Sequence, residues 1–279
     1  MASEQPRLAL NDGKSIPQLG FGVWQVPPGT TADVVGEAIR TGYVSIDTAE
    51  GYQNERGVGD AVRQGEVARE KLFVTSKLRN GAHAHDEALR AFDRTMEELQ
   101  LEVLDLFLIH WPLPRQGKYV EAWKALVQLQ KDGRVTSIGV SNFYPEHIER
   151  IIAETGVSPV VNQIELHPSF QQRAVREFHR QHDIRIESWS PLGQGSAMKH
   201  PALASIAKKH SKTPAQVIIR WHLDEGLIVI PKSVTPGRIR ENFGVFDFKL
   251  DADDMARIAA LDDQRGRMGS DPRTADFRF

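Results

Sequence analysis

Eight short apolar runs, each followed by a longer segment of helical period, constrain this chain more than any other feature. The runs occupy 19–23, 43–46, 72–76, 104–109, 136–140, 160–164, 184–188 and 227–230. Each is too short for a helix and is bounded by turn-forming residues, so it reads as a buried strand. The segments between them cover 31–41, 54–64, 86–99, 119–131, 145–154, 171–181, 202–220 and 236–243. Gly42, Gly65, Gly133 and Gly156 stand where helix C-termini are expected, and Pro145 and Pro214 suit first turns. The segment 202–220 is expected to break near Thr213-Pro214.

Strands that alternate with helices imply right-handed crossovers and a parallel sheet. Eight such units, spaced by roughly 30 residues, favour a closed α/β (β/α)8 TIM barrel over an open doubly wound sheet. Ahead of them, Asn11-Asp12-Gly13 supplies the tight turn of an N-terminal β-hairpin, expected to cover one end of the barrel. An extra C-terminal helix over 251–261 and a tail follow the last unit. No linker or low-complexity tract divides the chain, so one domain is expected across 1–279.

Charge and composition exclude several function classes. With 35 basic and 37 acidic residues the net charge is -2, which provides no field for nucleic acid or an anionic membrane. The absence of cysteine rules out disulfides, cysteine-ligated zinc and thiol catalysis. No apolar run approaches the roughly 20 residues that span a bilayer. The start, Met1-Ala2-Ser3-Glu4-Gln5-Pro6, lacks the blocks of a signal peptide, so a cytoplasmic protein is expected, and nothing demands more than a monomer.

Reactive side chains gather where barrel chemistry requires them. Asp47, Lys77, His110, Ser141-Asn142, Gln163, Trp189 and Lys232-Ser233 each stand at or just after the end of a different apolar run. A phenol has a pKa of about 10, and a neighbouring ammonium is expected to lower it, which makes Tyr52 with Lys77 an acid for neutral pH. Asp47 would keep Lys77 charged and aimed, and His110 would donate to a carbonyl oxygen that gains charge. The quartet suits protonation of an alkoxide formed at a carbonyl carbon. Such an alkoxide needs an incoming hydride, hence a nicotinamide.

The usual dinucleotide fingerprint is missing, since Gly20-Phe21-Gly22 and Gly57-Val58-Gly59 both lack the third glycine. Ser141, Asn142 and Gln163 offer hydrogen bonds for a carboxamide, and Trp189 offers an aromatic face. The stretch Pro231-Lys232-Ser233-Val234-Thr235-Pro236-Gly237-Arg238 brings two cations, two hydroxyls and a helix start, which suits the 2′-phosphate of NADPH or NADP.

At this point the chain resembles the aldo-keto reductase family over nearly its whole length. The resemblance rests on Gly42-Tyr43-x-x-Ile46-Asp47-Thr48-Ala49-x-x-Tyr52-x-Asn54-Glu55, Asp105-Leu106-x-Leu108-Ile109-His110-Trp111-Pro112, Ile138-Gly139-Val140-Ser141-Asn142-Phe143 and Ile230-Pro231-Lys232-Ser233. Gln163-Ile164-Glu165-Leu166-His167-Pro168 and Glu187-Ser188-Trp189-Ser190-Pro191-Leu192-Gly193-Gln194-Gly195 are similar to the prokaryotic 2,5-diketo-D-gluconate reductases, as is Lys212-Thr213-Pro214-Ala215-Gln216.

The resemblance implies NADPH-dependent reduction of aldehydes, ketones or dicarbonyls, with keto-sugar acids such as 2,5-diketo-D-gluconate among them. It implies Tyr52 as general acid supported by Lys77 and Asp47, with His110 orienting the carbonyl. Gly22, Val23, Asp47, Ser141, Asn142, Gln163, Trp189, Leu192, Gly193, Gln194 and Gly195 would contact the cofactor. Lys232, Ser233, Val234, Thr235, Arg238, Glu241 and Asn242 would hold its adenosine end. Trp24, Tyr52, His110, Trp111 and the tail would line the substrate pocket.

Glu50 departs from the family pattern, and a carboxylate at the mouth is expected to repel acidic substrates. Short loops over 113–118 and 195–201 imply an open pocket. Two alternatives remain. His83-Ala84-His85 with His110 and His167 would suit a metal-dependent hydrolase, although 81–86 reads as a polar loop with solvated histidines. A non-catalytic nucleotide-sensing member of the same fold would bind NADPH without turnover. No metal is expected.

Overall fold

The computed structural model describes residues 5–277. Strands β1 (Arg7–Ala9) and β2 (Ser15–Pro17) form the antiparallel hairpin, with Arg7 opposite Pro17. Gly13 turns it at φ +81, a conformation that a side chain would strain. Leu10 and Ile16 are buried against Phe73, Leu106, Val161 and Ile228 from four barrel strands. The hairpin therefore closes the end opposite the strand C-termini.

The barrel comprises β3 (Phe21–Gly22), β4 (Ser45–Asp47), β5 (Phe73–Leu78), β6 (Leu104–Ile109), β7 (Val135–Ser141), β8 (Val161–Glu165), β9 (Arg185–Trp189) and β10 (Ile228–Val229). Each pairs in parallel with the next in chain order. Gly20 N donates to Val229 O at 2.9 Å, Val229 N to Gln18 O at 3.0 Å, and Gly22 N to Pro231 O at 3.2 Å, so the first and last strands also join. At this seam a Cβ on Gly20 would lie 2.9 Å from Ile230 Cγ2, which only glycine avoids. The two seam strands are shorter than the runs that announce them. Leu19 pairs with Val229 through an isolated parallel bridge and Ile230 follows the last strand, and both are buried because their apolar side chains are driven into the core.

Helices α1 (Pro28–Thr41), α2 (Glu55–Arg63), α3 (His85–Leu99), α4 (Tyr119–Lys131), α5 (Pro145–Thr155) and α6 (Arg173–Gln181) surround the sheet. They are followed by α7 (Pro201–His210), α8 (Pro214–Asp224), α9 (Pro236–Phe243) and the extra α10 (Ala252–Ala259). The break expected near Thr213 separates α7 from α8. Ser211 turns left-handed at φ 54, and Thr213 with Gln216 forms a capping box. Helix α6 starts later than its period implies because Gln172 sits at φ 46 and Gln171 donates to Pro168 O and Ile258 O. Among the described residues no helix is long and apolar enough to cross a membrane.

Candidate active site

The strand ends open into a cavity of about 1020 Å3. Asp47 closes β4, and the chain then makes a short 3-10 turn, Glu50–Tyr52, that swings the phenol back over the barrel. Asn54 holds this loop in place: it accepts from Thr48 Oγ1 at 2.8 Å and donates to Val23 O at 2.9 Å. Lys77 lies on β5 with its side chain fully buried. Its Nζ donates to Asp47 Oδ1 at 2.6 Å and Thr48 O at 2.8 Å, and reaches Tyr52 Oη at 3.5 Å. An ammonium has three protons, so these three acceptors satisfy it. His110 follows β6, and its ring meets that of Tyr52 edge to face at 5.6 Å between centroids.

Burial governs the electrostatics of this group. It pulls the Lys77 ammonium down, but the Asp47 charge and hydrogen bond together with Tyr52 outweigh it, and the pKa stays above its ordinary value. For Tyr52 the expected lowering is not found. Burial raises the phenol, Lys77 opposes it, and Asp47 and Glu187 add to the rise, so the pKa lies above its ordinary value. The physical reason is that removing water from a phenolate costs more than one ammonium, shared with a carboxylate, returns. His110 is held well below its ordinary value by burial first, then by Lys77 and His83, and is a neutral imidazole.

One wall of the cavity is an interlocked set of amides. Asn142, at φ 62 just past β7, donates to His110 O and Ser141 Oγ, both at 3.0 Å, and accepts from Trp189 Nε1 at 2.8 Å. That bond fixes the plane of the Trp189 ring at the cavity surface. Ser141 Oγ donates to Gln163 O at 2.9 Å, and Gln163 Nε2 donates to both Asp47 Oδ2 and Glu187 Oε2 at 2.8 Å. With both N–H groups used, the Gln163 amide keeps its oxygen as an acceptor.

A second arm of the cavity runs along the loop after β10 into α9. Lys232, Ser233, Val234, Thr235, Arg238, Glu241 and Asn242 all line it, as do Leu192, Gln194 and Gly195 from the loop after β9. Lys232 and Arg238 are exposed, and among the described residues neither makes an ion pair, whereas Glu241 accepts from Thr213 Oγ1 at 2.9 Å. An acceptor amide, a ring face, and two cations at the far arm fit a phosphorylated nicotinamide dinucleotide. Gly22 and Asp47 also reach the surface, while Val23, Gly193 and Lys77 stand behind it. Val23 is fully buried, and neither it nor Gly193 lines the cavity.

In the arm near Tyr52 and His110, Trp24 is 45% exposed, and Trp111 is buried with its ring 5.1 Å from that of Phe277. The tail brings Met268, Gly269 and Ser270 to the same cavity. It is held by Glu165, which accepts from Met268 N at 2.6 Å and Gly269 N at 2.9 Å. The last two tail residues, 278 and 279, lie outside the described residues. Sequence reasoning assigned no role to Glu165, Glu187, Gln25 or the tail contacts of Gly269. The available signal was alternation: Glu165 follows Gln163, and Trp189 follows Glu187, by two residues on strands whose inward positions were already assigned.

Two expectations are corrected. Glu50 does not line the cavity; its Oε1 faces Arg94 at 3.3 Å and Arg79 at 3.5 Å, which absorb its charge. His83 is buried rather than solvated, and burial pushes it down to about 4, while His85 pairs with Asp86. Among the described residues the histidines do not converge as a metal set. Among the described residues the one group close enough is Asp251, Asp253 and Asp254, of which Asp251 and Asp254 are bridged by Lys209.

Comparison with known proteins bears on this geometry. The profile described as Aldo/keto reductase family matches residues 18–263. The chain is 51% identical over 272 residues to an aldo-keto reductase of Mycolicibacterium smegmatis, covering 98% of each. It is 51% identical over 267 residues to the methylglyoxal reductase DkgA of Escherichia coli, covering 95% of this chain and 96% of that one. The crystal structure of a Gox0644 variant in complex with NADPH superposes with a TM-score of 0.95 at 57% identity, covering 98% of this chain and 99% of the other.

Proposed function

This chain belongs to the aldo/keto reductase family, and from that premise we propose that it reduces small neutral aldehydes and dicarbonyls with NADPH, Tyr52 acting as the acid. The observation that carries the reading is the convergence of Tyr52, Lys77, Asp47 and His110 beneath a cavity whose far arm presents Lys232 and Arg238. NADPH, when bound, supplies the hydride. The protein supplies position and a proton.

Trp189 and the Gln163 oxygen would orient the nicotinamide end, and Lys232, Ser233 and Arg238 would take the 2′-phosphate. His110, neutral, donates to the carbonyl oxygen and holds it beside Tyr52. The raised pKa of Tyr52 keeps the phenol protonated, and its O–H delivers the proton to the oxygen as charge develops there. Lys77 at 3.5 Å stabilises the phenolate left behind, and Asp47 keeps that ammonium charged. Trp24, Trp111 and Phe277 exclude water.

Substrate class follows from charge. Among the described lining residues, the charged side chains other than Asp47 are Lys232, Arg238 and Glu241, all in the cofactor arm. The carbonyl end is apolar with neutral donors, which favours an uncharged dicarbonyl over a keto-sugar acid, and the similarity to the methylglyoxal reductases supports the same choice. The reaction needs one chain, and we propose a monomeric cytoplasmic enzyme. The test is NADPH consumption over a panel of methylglyoxal, simple aldehydes and 2,5-diketo-D-gluconate. The value of kcat/KM should be highest for the uncharged dicarbonyl; preference for the acid would overturn the substrate class, and no turnover of any would overturn the activity.

A further inference from the structure

Glu187 is a buried acid that the quartet does not include. It is fully buried on β9, two residues before Trp189, so both side chains point into the barrel. Its Oε2 accepts from Gln163 Nε2 at 2.8 Å, and the second proton of that nitrogen goes to Asp47 Oδ2 at 2.8 Å. Turning the amide over would set its oxygen against the Asp47 carboxylate, which has no proton to give, so Asp47 dictates which way Gln163 faces and Glu187 takes the amide's second proton. One acceptor would leave the amide free to swing about a single bond; two fix its plane.

We propose that Glu187 is a positioning residue: by clamping Gln163 from the side opposite Asp47, it aims the amide oxygen that reads the nicotinamide carboxamide. This rests on the proposed NADPH-dependent activity. The charged and titratable groups that face Glu187 are Asp47 from β4, Lys77 from β5 and Tyr52 from the 3-10 turn after β4. Burial raises it to about 8, Asp47 adds to the rise, and the Gln163 hydrogen bond and Lys77 oppose it. At neutral pH Glu187 is therefore a neutral acid that accepts through Oε2. Above about 8 it ionises and places a second carboxylate beside the site. That charge favours the oxidised nicotinamide, which is positive, over the reduced one, which is neutral.

The experiment titrates NADPH and NADP into the wild-type protein, Glu187→Gln and Glu187→Leu between about pH 6.5 and 9.5, followed by tryptophan fluorescence. In Glu187→Leu the clamp is lost, and both cofactors should bind about three- to tenfold more weakly at pH 7. In Glu187→Gln an amide oxygen still accepts, and affinity at pH 7 should recover to within about twofold. The wild-type protein should gain at least about threefold in preference for NADP over NADPH as pH rises through 8, and Glu187→Gln should not. Wild-type affinity in Glu187→Leu, Leu-like weakness in Glu187→Gln, or an unchanged pH response in Glu187→Gln would each overturn the proposal. If Glu187→Leu fails to fold, the pH series on Glu187→Gln decides. A wild-type protein that binds neither cofactor refutes the proposed function instead.

Discussion

Lys77 and Asp47, separated by 30 residues in sequence, form an ion pair at 2.6 Å in which the ammonium is completely buried. A pair in that position stabilises little on its own account but is costly to break, because the surviving charge has no water. Asp47→Leu is expected to lower unfolding free energy by about 3 kcal/mol, while the double variant Asp47→Leu/Lys77→Met regains part of the loss. Urea unfolding of the wild-type protein, Asp47→Leu, Lys77→Met and the double variant measures this. Equal stability of the single and double variants would show that the pair is not the unit that matters.

Tyr52→Phe removes the proton and leaves the ring. Turnover of a model dicarbonyl should fall by about 10²- to 10⁴-fold. Affinity for NADPH should hardly change, since Oη makes no contact that the cofactor arm depends on. A variant that keeps most of its turnover would place the acid elsewhere.

Lys232→Ala and Arg238→Ala each delete a cation from the far arm. Each should weaken NADPH by about tenfold or more while leaving NADH within about twofold, because only NADPH carries the 2′-phosphate. Binding titrations of both cofactors separate this from a general loss of the fold. Equal losses for the two cofactors would remove the phosphate assignment.

His179 gives a pH dependence of stability. Its Nδ1 meets Val175 O at 2.6 Å and its Nε2 meets Asn162 Nδ2 at 2.8 Å, so Nδ1 carries the proton and Nε2 accepts. Burial is the main cause that lowers its pKa from 6.5 to about 4. As pH falls, the unfolded chain takes up this proton first. The contribution is complete above 6.5 and is lost on the way to about 4. In His179→Gln the stability difference between about pH 7 and pH 4.5 should therefore shrink by roughly 2 to 3 kcal/mol. An unchanged difference in urea unfolding would mean that His179 is not neutral in the fold.

Glu50→Gln tests the correction made to the mouth of the cavity. Since Arg79 and Arg94 already face that carboxylate, removing its charge should leave the ratio of kcat/KM for acidic and neutral carbonyls within about twofold. A marked gain for the acidic substrate would restore Glu50 as a selectivity element.

Much of the barrel could be read from periodicity, because a strand and a helix bury their faces at different intervals and eight alternations leave few ways to close a sheet. The places of Asp47, Lys77, His110 and Trp189 followed from that, as ends of strands. Residues outside the strands were less legible. Glu50 and Tyr52 share one 3-10 turn, yet one faces two arginines and the other the cavity, and no pattern in the chain distinguishes them.

From the order of its residues alone, this protein was committed to a parallel barrel with a phenol, an amine, a carboxylate and an imidazole at one rim. Closure of the sheet decided the rest: that Tyr52 is driven up in pKa rather than down, that Glu187 clamps Gln163, and that Glu165 ties the tail beside Trp189. These depend on how deeply a group is removed from water and on distances between strands far apart in the chain. Local period specifies which face a side chain takes, whereas desolvation and cross-barrel distance exist only once all the strands are in place.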